Sequence, residues 1–182
     1  MVKRLNLGCG SNKIAGFINI DVEPSCKPDL VCNFIQKLPY KTASVDEVVL
    51  FHTIEHINKC WHFKVLSEIW RVLKPNGQLM ISYPEFLKCV KNWRTNYRGK
   101  KEFWEHTIFG RQAYLSDFHV CILHTPDFTS LLAGCGFKKI VAKPEPSEPY
   151  NTVVGCVKGA RIPNYEDLLA DYMNGLSLNK VS

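Results

Sequence analysis

The chain predicts an α/β fold with a doubly wound, mainly parallel sheet, and three observations carry that expectation. A short apolar strand runs into the glycine turn Gly8-Cys9-Gly10, and a second apolar strand follows that ends in the carboxylate of Asp21. Glu47-Val48-Val49-Leu50-Phe51-His52 is nearly continuous in apolar residues, as a strand buried on both faces of a sheet is. An amphipathic helical pattern comes next and leads into another apolar strand, so strand and helix alternate.

Taken in order, residues 4–8 and 17–22 read as the first two strands, and only the seven residues 11–17 separate Gly10 from Ile18. A parallel crossover usually needs a dozen or more residues, most of them helical. The first crossover helix is therefore expected to be shortened or missing. A third strand is expected at 29–33, a loop at 38–46 and a fourth strand at 47–52. Trp61, Val65, Leu66, Ile69, Val72 and Leu73 recur at helical spacing and predict a helix over 59–73. Lys74-Pro75-Asn76-Gly77 reads as the turn that stops it, before a fifth strand at 78–83.

A basic segment, 85–105, is expected to be helical, and 106–124 to be loop with short elements. Thr125-Pro126-Asp127 has the composition of a helix start, with threonine as the cap. Phe128, Leu131, Leu132 and Cys135 continue that helix to Gly136. Strands at 137–142 and 152–157 follow. A short helix at 163–173 and a loose tail from 174 complete the reading. One domain, 1–182, accommodates all of this.

Composition narrows the function classes. With 46% apolar and 22% charged residues the chain is ordinary globular protein. No apolar run approaches the roughly 18 residues of a membrane span. Met1-Val2-Lys3-Arg4 leads straight into a strand without an apolar signal-type region, so a cytoplasmic location and no membrane partner are expected. Eight cysteines are scattered with no CxxC pair and read as buried thiols. His119-x-Cys121-x-x-His124 lacks an obvious fourth ligand, and no metal is expected. The formal net charge of +6 equals the six basic residues between Lys88 and Lys101, a segment without an acid.

The ordered motifs resemble one family. Leu-Asn-Leu-Gly-Cys-Gly at 5–10, Asp21, Leu38-Pro39-Tyr40, His52-Thr53-Ile54-Glu55-His56, Arg71-Val72-Leu73-Lys74-Pro75-Asn76-Gly77 and Gly136-Phe137 look like a class I S-adenosylmethionine-dependent methyltransferase of the type 11 kind. The resemblance spans roughly residues 4–157. It implies a Rossmann-like, seven-stranded sheet whose last strand is antiparallel, with S-adenosyl-L-methionine as cofactor and S-adenosyl-L-homocysteine as product. Physical reasoning favours that cofactor over a dinucleotide. A pyrophosphate wants a helix N-terminus, the first helix is missing, and Lys13 stands where the third glycine of GxGxxG would be.

Carried onto this sequence, the resemblance implies that Gly8, Cys9 and Gly10 pass beneath the methionine portion of the cofactor. Asp21 would accept from the ribose hydroxyls, with Val22 against the adenine. Asn33 and Phe34 would face the adenine, where relatives often have an aspartate at the Asn33 position. Phe51 and His52 would lie beside the departing methyl. Asn6 stands where many class I enzymes have an acid. His52, Glu55 and His56 are the candidate catalytic groups, although Glu55 and His56 can equally cap the following helix. His119 and His124 are further candidate bases, and Tyr83 could line the acceptor pocket.

The acceptor is expected to be an oxygen or nitrogen nucleophile of a small molecule or glycan. Lys88, Lys91, Arg94, Arg98 and Lys101 recur at three- and four-residue steps around Trp93 and Tyr97. On one helical face they would suit RNA, which makes a nucleic-acid methyltransferase one alternative. A solvated helix with its aromatics packed on the sheet, or a non-catalytic cofactor-binding module, are the others.

Overall fold

The computed structural model describes residues 2–113 and 117–159. The short helix and tail expected beyond residue 160 lie outside them. The strands are β1 (Arg4–Leu7), β2 (Ile18–Asp21), β3 (Leu30–Val31), β4 (Val45–Phe51), β5 (Leu73–Pro84), β6 (Phe137–Pro144) and β7 (Asn151–Lys158). The helices are α1 (Lys59–Val72), α2 (Phe86–Arg94), α3 (Lys101–Phe109) and α4 (Thr125–Gly134). One sheet contains all seven strands in the order β3-β2-β1-β4-β5-β7-β6. β1 to β5 pair parallel, and β7 runs antiparallel to both β5 and β6. The strand order reverses between β1 and β4, and in such sheets ligands bind outside the carboxyl ends of the strands at that point.

The core is what the apolar strands predict. Leu5, Leu7, Ile20, Val48, Leu50 and Ile81 are fully buried in one cluster with Val65, Leu66, Ile69 and Val72 of α1. Trp61 departs from the expected apolar face of α1. It is half exposed, with the Lys64 ammonium over its ring.

No helix forms between β1 and β2. Side-chain amides hold the connection instead. Asn6 Nδ2 donates to the Asn12 carbonyl and to Asn19 Oδ1. Asn19 Oδ1 also accepts from the Ile14 amide, and Asn19 Nδ2 donates to Asp29 Oδ2 at 2.9 Å. The connections 22–29 and 32–44 also lack an α-helix, with one 3-10 turn at Pro24–Cys26.

Several boundaries differ from the sequence reading. β3 is two residues long rather than five, and β4 begins at Val45, which pairs with Leu73. Lys74-Pro75-Asn76-Gly77 does not separate α1 from β5 but bulges inside β5. The register steps from Val45↔Leu73 to Glu47↔Gln78, and Asn76 takes a left-handed φ of 60°. Lys74 Nζ closes the bulge on Asp46 Oδ1 at 2.7 Å. Arg71 holds the 38–42 loop, pairing with Glu68 and donating to the Leu38 and Tyr40 carbonyls.

The expected helix at 85–105 is broken. α2 ends at Arg94, and Asn96, Arg98 and Gly99 all have positive φ before α3 starts at Lys101. Lys88, Lys91 and Arg94 therefore sit on α2, Arg98 on the turn and Lys101 on another helix, so the five do not share one helical face. Nor do the aromatics pack on the sheet: Trp93 donates to Glu105 across the two helices, and Tyr97 is 47% exposed. At α4 the cap position belongs to His124 rather than Thr125. No helix among the described residues is long and apolar enough to cross a membrane.

Candidate cofactor and acceptor site

The glycine turn leaves β1 and is tied across the end of β2, since Gly8 and Cys9 both donate to the Ile20 carbonyl. Gly8 has φ 69°, and a Cβ there would come within 2.2 Å of Thr53 Cγ2. Thr53 is the reason: its hydroxyl lies within 3.2 Å of the Leu7, Gly8 and Phe51 carbonyls and fills the space beside the turn. Gly10 is different. It has φ 47°, and nothing lies within 4 Å of where its Cβ would stand. Gly8 is a packing requirement, whereas Gly10 keeps an open approach to the backbone.

Asp21 ends β2 with its carboxylate set by two backbone donors, Gly10 N to Oδ2 at 2.7 Å and Glu23 N to Oδ1 at 2.9 Å. Each oxygen keeps a lone pair, so the carboxylate can still accept from a diol. Val22 beside it is 52% exposed, an apolar wall next to the acid. These residues fit a nucleoside: a fixed acceptor pair, an apolar face and a glycine without a side chain. Asn33 and Phe34 lie past the end of β3 in a turn. Asn33 is exposed and caps the turn by accepting from the Ile35 amide, while Phe34 is buried in the core cluster. Phe34 thus packs inward rather than offering its ring to the crevice. Cys9 is buried under the turn, and burial raises its thiol pKa.

At the end of β4, Phe51 is half-buried and His52 turns into the left-handed region at φ 50°, its amide donating to the Ser82 carbonyl. His52 Nδ1 stands 3.6 Å from Glu55 Oε1. The nearby Glu55 carboxylate, opposed by burial and aided by the charges of Glu145 and Glu148, raises the imidazole pKa. Glu55 and His56 do not cap α1, whose cap position is Asn58. They sit on a separate 3-10 turn, Ile54–His56, which the buried His62 anchors by hydrogen bonding the Ile54 and Ile57 carbonyls. Burial lowers the His62 pKa.

Glu55 is 2% exposed, and among the described residues neither carboxylate oxygen has a hydrogen-bond donor. His56 and His119 face it, with ring centroids 4.8 Å apart. Burial lowers the His119 pKa. Of the other candidates, His124 is at the start of α4 beside Asp127 at 3.4 Å, away from this cluster. Tyr83 does not line a pocket: it is fully buried against Phe128 with its hydroxyl on Thr125, and burial pushes its pKa up to about 12.

Two cavities share part of their lining, and only the smaller touches the cluster. The larger, about 480 Å³, lies between α2 and α3, with Phe86, Val90, Trp93, Ile108 and Phe109 as its apolar wall and Glu105, His106, Arg111 and Gln112 as its polar one. A chamber of about 20 Å³ bounded by Glu55, Cys89, His119 and Cys121 shares Phe86 and Ile108 with it. Sequence reasoning missed Thr53, Asn19, His62 and Ser82. Only Thr53, inside a quoted motif, carried a sequence signal.

Comparison with known proteins agrees with this fold. Residues 5–81 match the model of a family described as a methyltransferase domain. Over 105 residues the chain is 32% identical to a probable S-adenosylmethionine-dependent methyltransferase of Mycolicibacterium smegmatis, covering 57% of this chain and 33% of the relative. A Mycobacterium tuberculosis protein of the same description is 32% identical over 104 residues. The chain thus spans about a third of the length of the curated relatives it matches. Among solved structures, a SAM-dependent methyltransferase from Methanosarcina mazei superposes with a TM-score of 0.63 at 17% identity, covering 87% of this chain and 93% of that one. One from Archaeoglobus fulgidus gives 0.63 at 16%, covering 86% of each.

Proposed function

We propose that this chain, whose residues 5–81 belong to the methyltransferase domain family and whose sheet is that of the class I enzymes, methylates an oxygen or nitrogen nucleophile of a small-molecule acceptor. The observation that carries the acceptor class is the mainly apolar cavity of about 480 Å³, which shares walls with the Glu55–His119 chamber. That lining suits the apolar body of a small molecule better than a glycan. The basic residues are divided between two helices and a turn, so the RNA reading loses the single helical face it rests on.

S-adenosylmethionine, when bound, supplies an activated methyl group on a sulfonium. The chain's residues do the rest. Asp21 would hold the ribose hydroxyls, Val22 would cover the adenine, and the backbone of Gly8 to Gly10 would pass close to the methionine portion. His52 would receive the proton that the acceptor's nucleophile gives up on methylation. Glu55, 3.6 Å from His52 Nδ1, stabilises the imidazolium so formed. The cavity between α2 and α3 orients the acceptor, and positioning is the larger share of the catalysis because the donor is already activated.

Titration calorimetry with S-adenosylhomocysteine tests the first step, with binding expected for wild type and a loss of tenfold or more for Asp21→Ala, as removal of a charge-assisted contact implies. Labelled-methyl transfer to the small-molecule fraction of a cell extract, abolished in His52→Ala, tests the second. Equal binding by wild type and Asp21→Ala would sink the reading.

A further inference from the structure

We propose that Glu55, His56 and His119 form a binding site for a first-row divalent transition-metal ion. In sequence the eye falls on His119-x-Cys121-x-x-His124, but the fold takes that grouping apart. His124 turns to Asp127, and Cys121 Sγ turns to the Ile54 and Glu55 carbonyls and His62. In their place the 3-10 turn at 54–56 brings Glu55 and His56 to His119, and one ligand atom from each lies within 4.8 Å of the others.

Three features suit a metal more than a chance cluster. Glu55 is 2% exposed with no hydrogen-bond donor to either oxygen among the described residues, and a buried carboxylate without a donor is costly unless a cation serves it. His52 Nδ1, at 3.6 Å, is beyond good hydrogen-bond distance. One of the two imidazoles is oriented from behind: His56 Nδ1 lies 2.9 Å from the Phe118 carbonyl. A ligating histidine is normally held in this way by its other nitrogen. Finally, the backbone fixes the two halves together, with Val120 N donating to the Glu55 carbonyl at 3.0 Å and His119 N to Phe109 O at 3.0 Å.

Two nitrogens and a carboxylate suit zinc, cobalt, iron or manganese rather than magnesium or calcium. Bonds of about 2.0–2.2 Å require the donors to draw inward by roughly an ångström. Three protein ligands leave a coordination position open, and a small chamber is bounded by two of them, Glu55 and His119. Its use in the reaction rests on the methyl-transfer reading: there an acceptor hydroxyl would bind through oxygen and lose its proton more readily, to His52.

The test uses the whole chain, stripped with a chelator and desalted. Co²⁺ is titrated and followed by visible absorption, then displaced with Zn²⁺. One Co²⁺ per chain is expected, without a thiolate charge-transfer band. His119→Ala and Glu55→Gln should each weaken it by more than the roughly 10–100-fold that loss of an outer-shell partner costs, and His124→Ala should not. His119 lies on a half-exposed loop, so that variant decides the matter if Glu55→Gln fails to fold. Co²⁺ binding that is absent in wild type, or undiminished in His119→Ala, overturns the site. S-adenosylhomocysteine affinity of the metal-free chain is read in the same samples. Its loss with Co²⁺ binding intact would overturn the methyl-transfer reading and leave the metal site standing.

Discussion

Asn6 Nδ2 lies 3.0 Å from Asn19 Oδ1, and through that contact β1 holds the loop that stands in for the first crossover helix. Asn6 occupies a position where many class I enzymes have an acid, and here the amide is needed because it faces two acceptors, Asn19 Oδ1 and the Asn12 carbonyl. A carboxylate would have no proton to give either. Asn6→Asp is therefore expected to destabilise the fold by about 2–4 kcal/mol, the cost of lost hydrogen bonds plus a buried unpaired charge. It should also weaken S-adenosylhomocysteine binding. Urea unfolding and calorimetry check both, and an Asn6→Asp protein as stable as wild type would refute this account of the loop.

The two glycines of the turn should fail in different ways. Gly8→Ala forces a Cβ into Thr53 at 2.2 Å and φ 69°, so a loss of about 3 kcal/mol or more is expected. Trimming Thr53 to glycine in the same chain should recover part of it. Gly10→Ala meets open space and should cost only about 1 kcal/mol for its φ of 47°, yet under the proposed reading its methyl would stand in the cofactor's approach. Thermal melts and calorimetry on the pair separate the roles: a stable Gly10→Ala chain with unimpaired cofactor binding would remove Gly10 from the site.

How much of this was legible in the sequence follows from range of interaction. Strands, α1 and the helix-free first connection could be read because apolar period and residue count are local quantities. Asp21 and the glycines could be read because backbone need and strand end coincide. Asn19 and His62 could not, since their partners lie at Asn6 and Asp29, or in carbonyls of a turn that only the fold creates. The break at 95–100 was missed because the basic period continues across it, while Asn96, Arg98 and Gly99 carry the chain through positive φ. Likewise His119 meets Glu55 only through the contact of two distant segments.

Thiol chemistry gives an independent check of the core. Cys60 is the one exposed cysteine of the eight, and burial pushes the Cys89, Cys121, Cys135 and Cys156 thiols up to about 12. The thiolate is the reactive form, so these four should alkylate slowly in the native chain. Peptide mapping after brief iodoacetamide treatment at pH 7.5 should find Cys60 modified first, and Cys60→Ser should abolish the fast phase. Early modification of Cys135 or Cys156 would contradict the packing of α4 and β7.

Acid should undo the clamp on the 38–42 loop. Burial alone would raise the Glu68 carboxyl, but the Arg71 and Leu38 hydrogen bonds and the charges of Arg71 and Lys37 outweigh it and hold its pKa below the ordinary 4.5. A carboxyl depressed in the folded state binds its proton less readily there than in the unfolded chain. Its stabilisation is therefore complete above about pH 4.5 and drains away as the pH falls through the lower folded value. Glu68 and Arg71 have side chains 13% and 26% exposed, so solvent screens the pair only in part. Glu68→Gln should cost about 1–3 kcal/mol at pH 7, and the difference from wild type should shrink as the pH falls below about 4.5. Urea unfolding of both chains across that range measures it, and a difference that does not change with pH would show that the clamp acts through shape rather than charge.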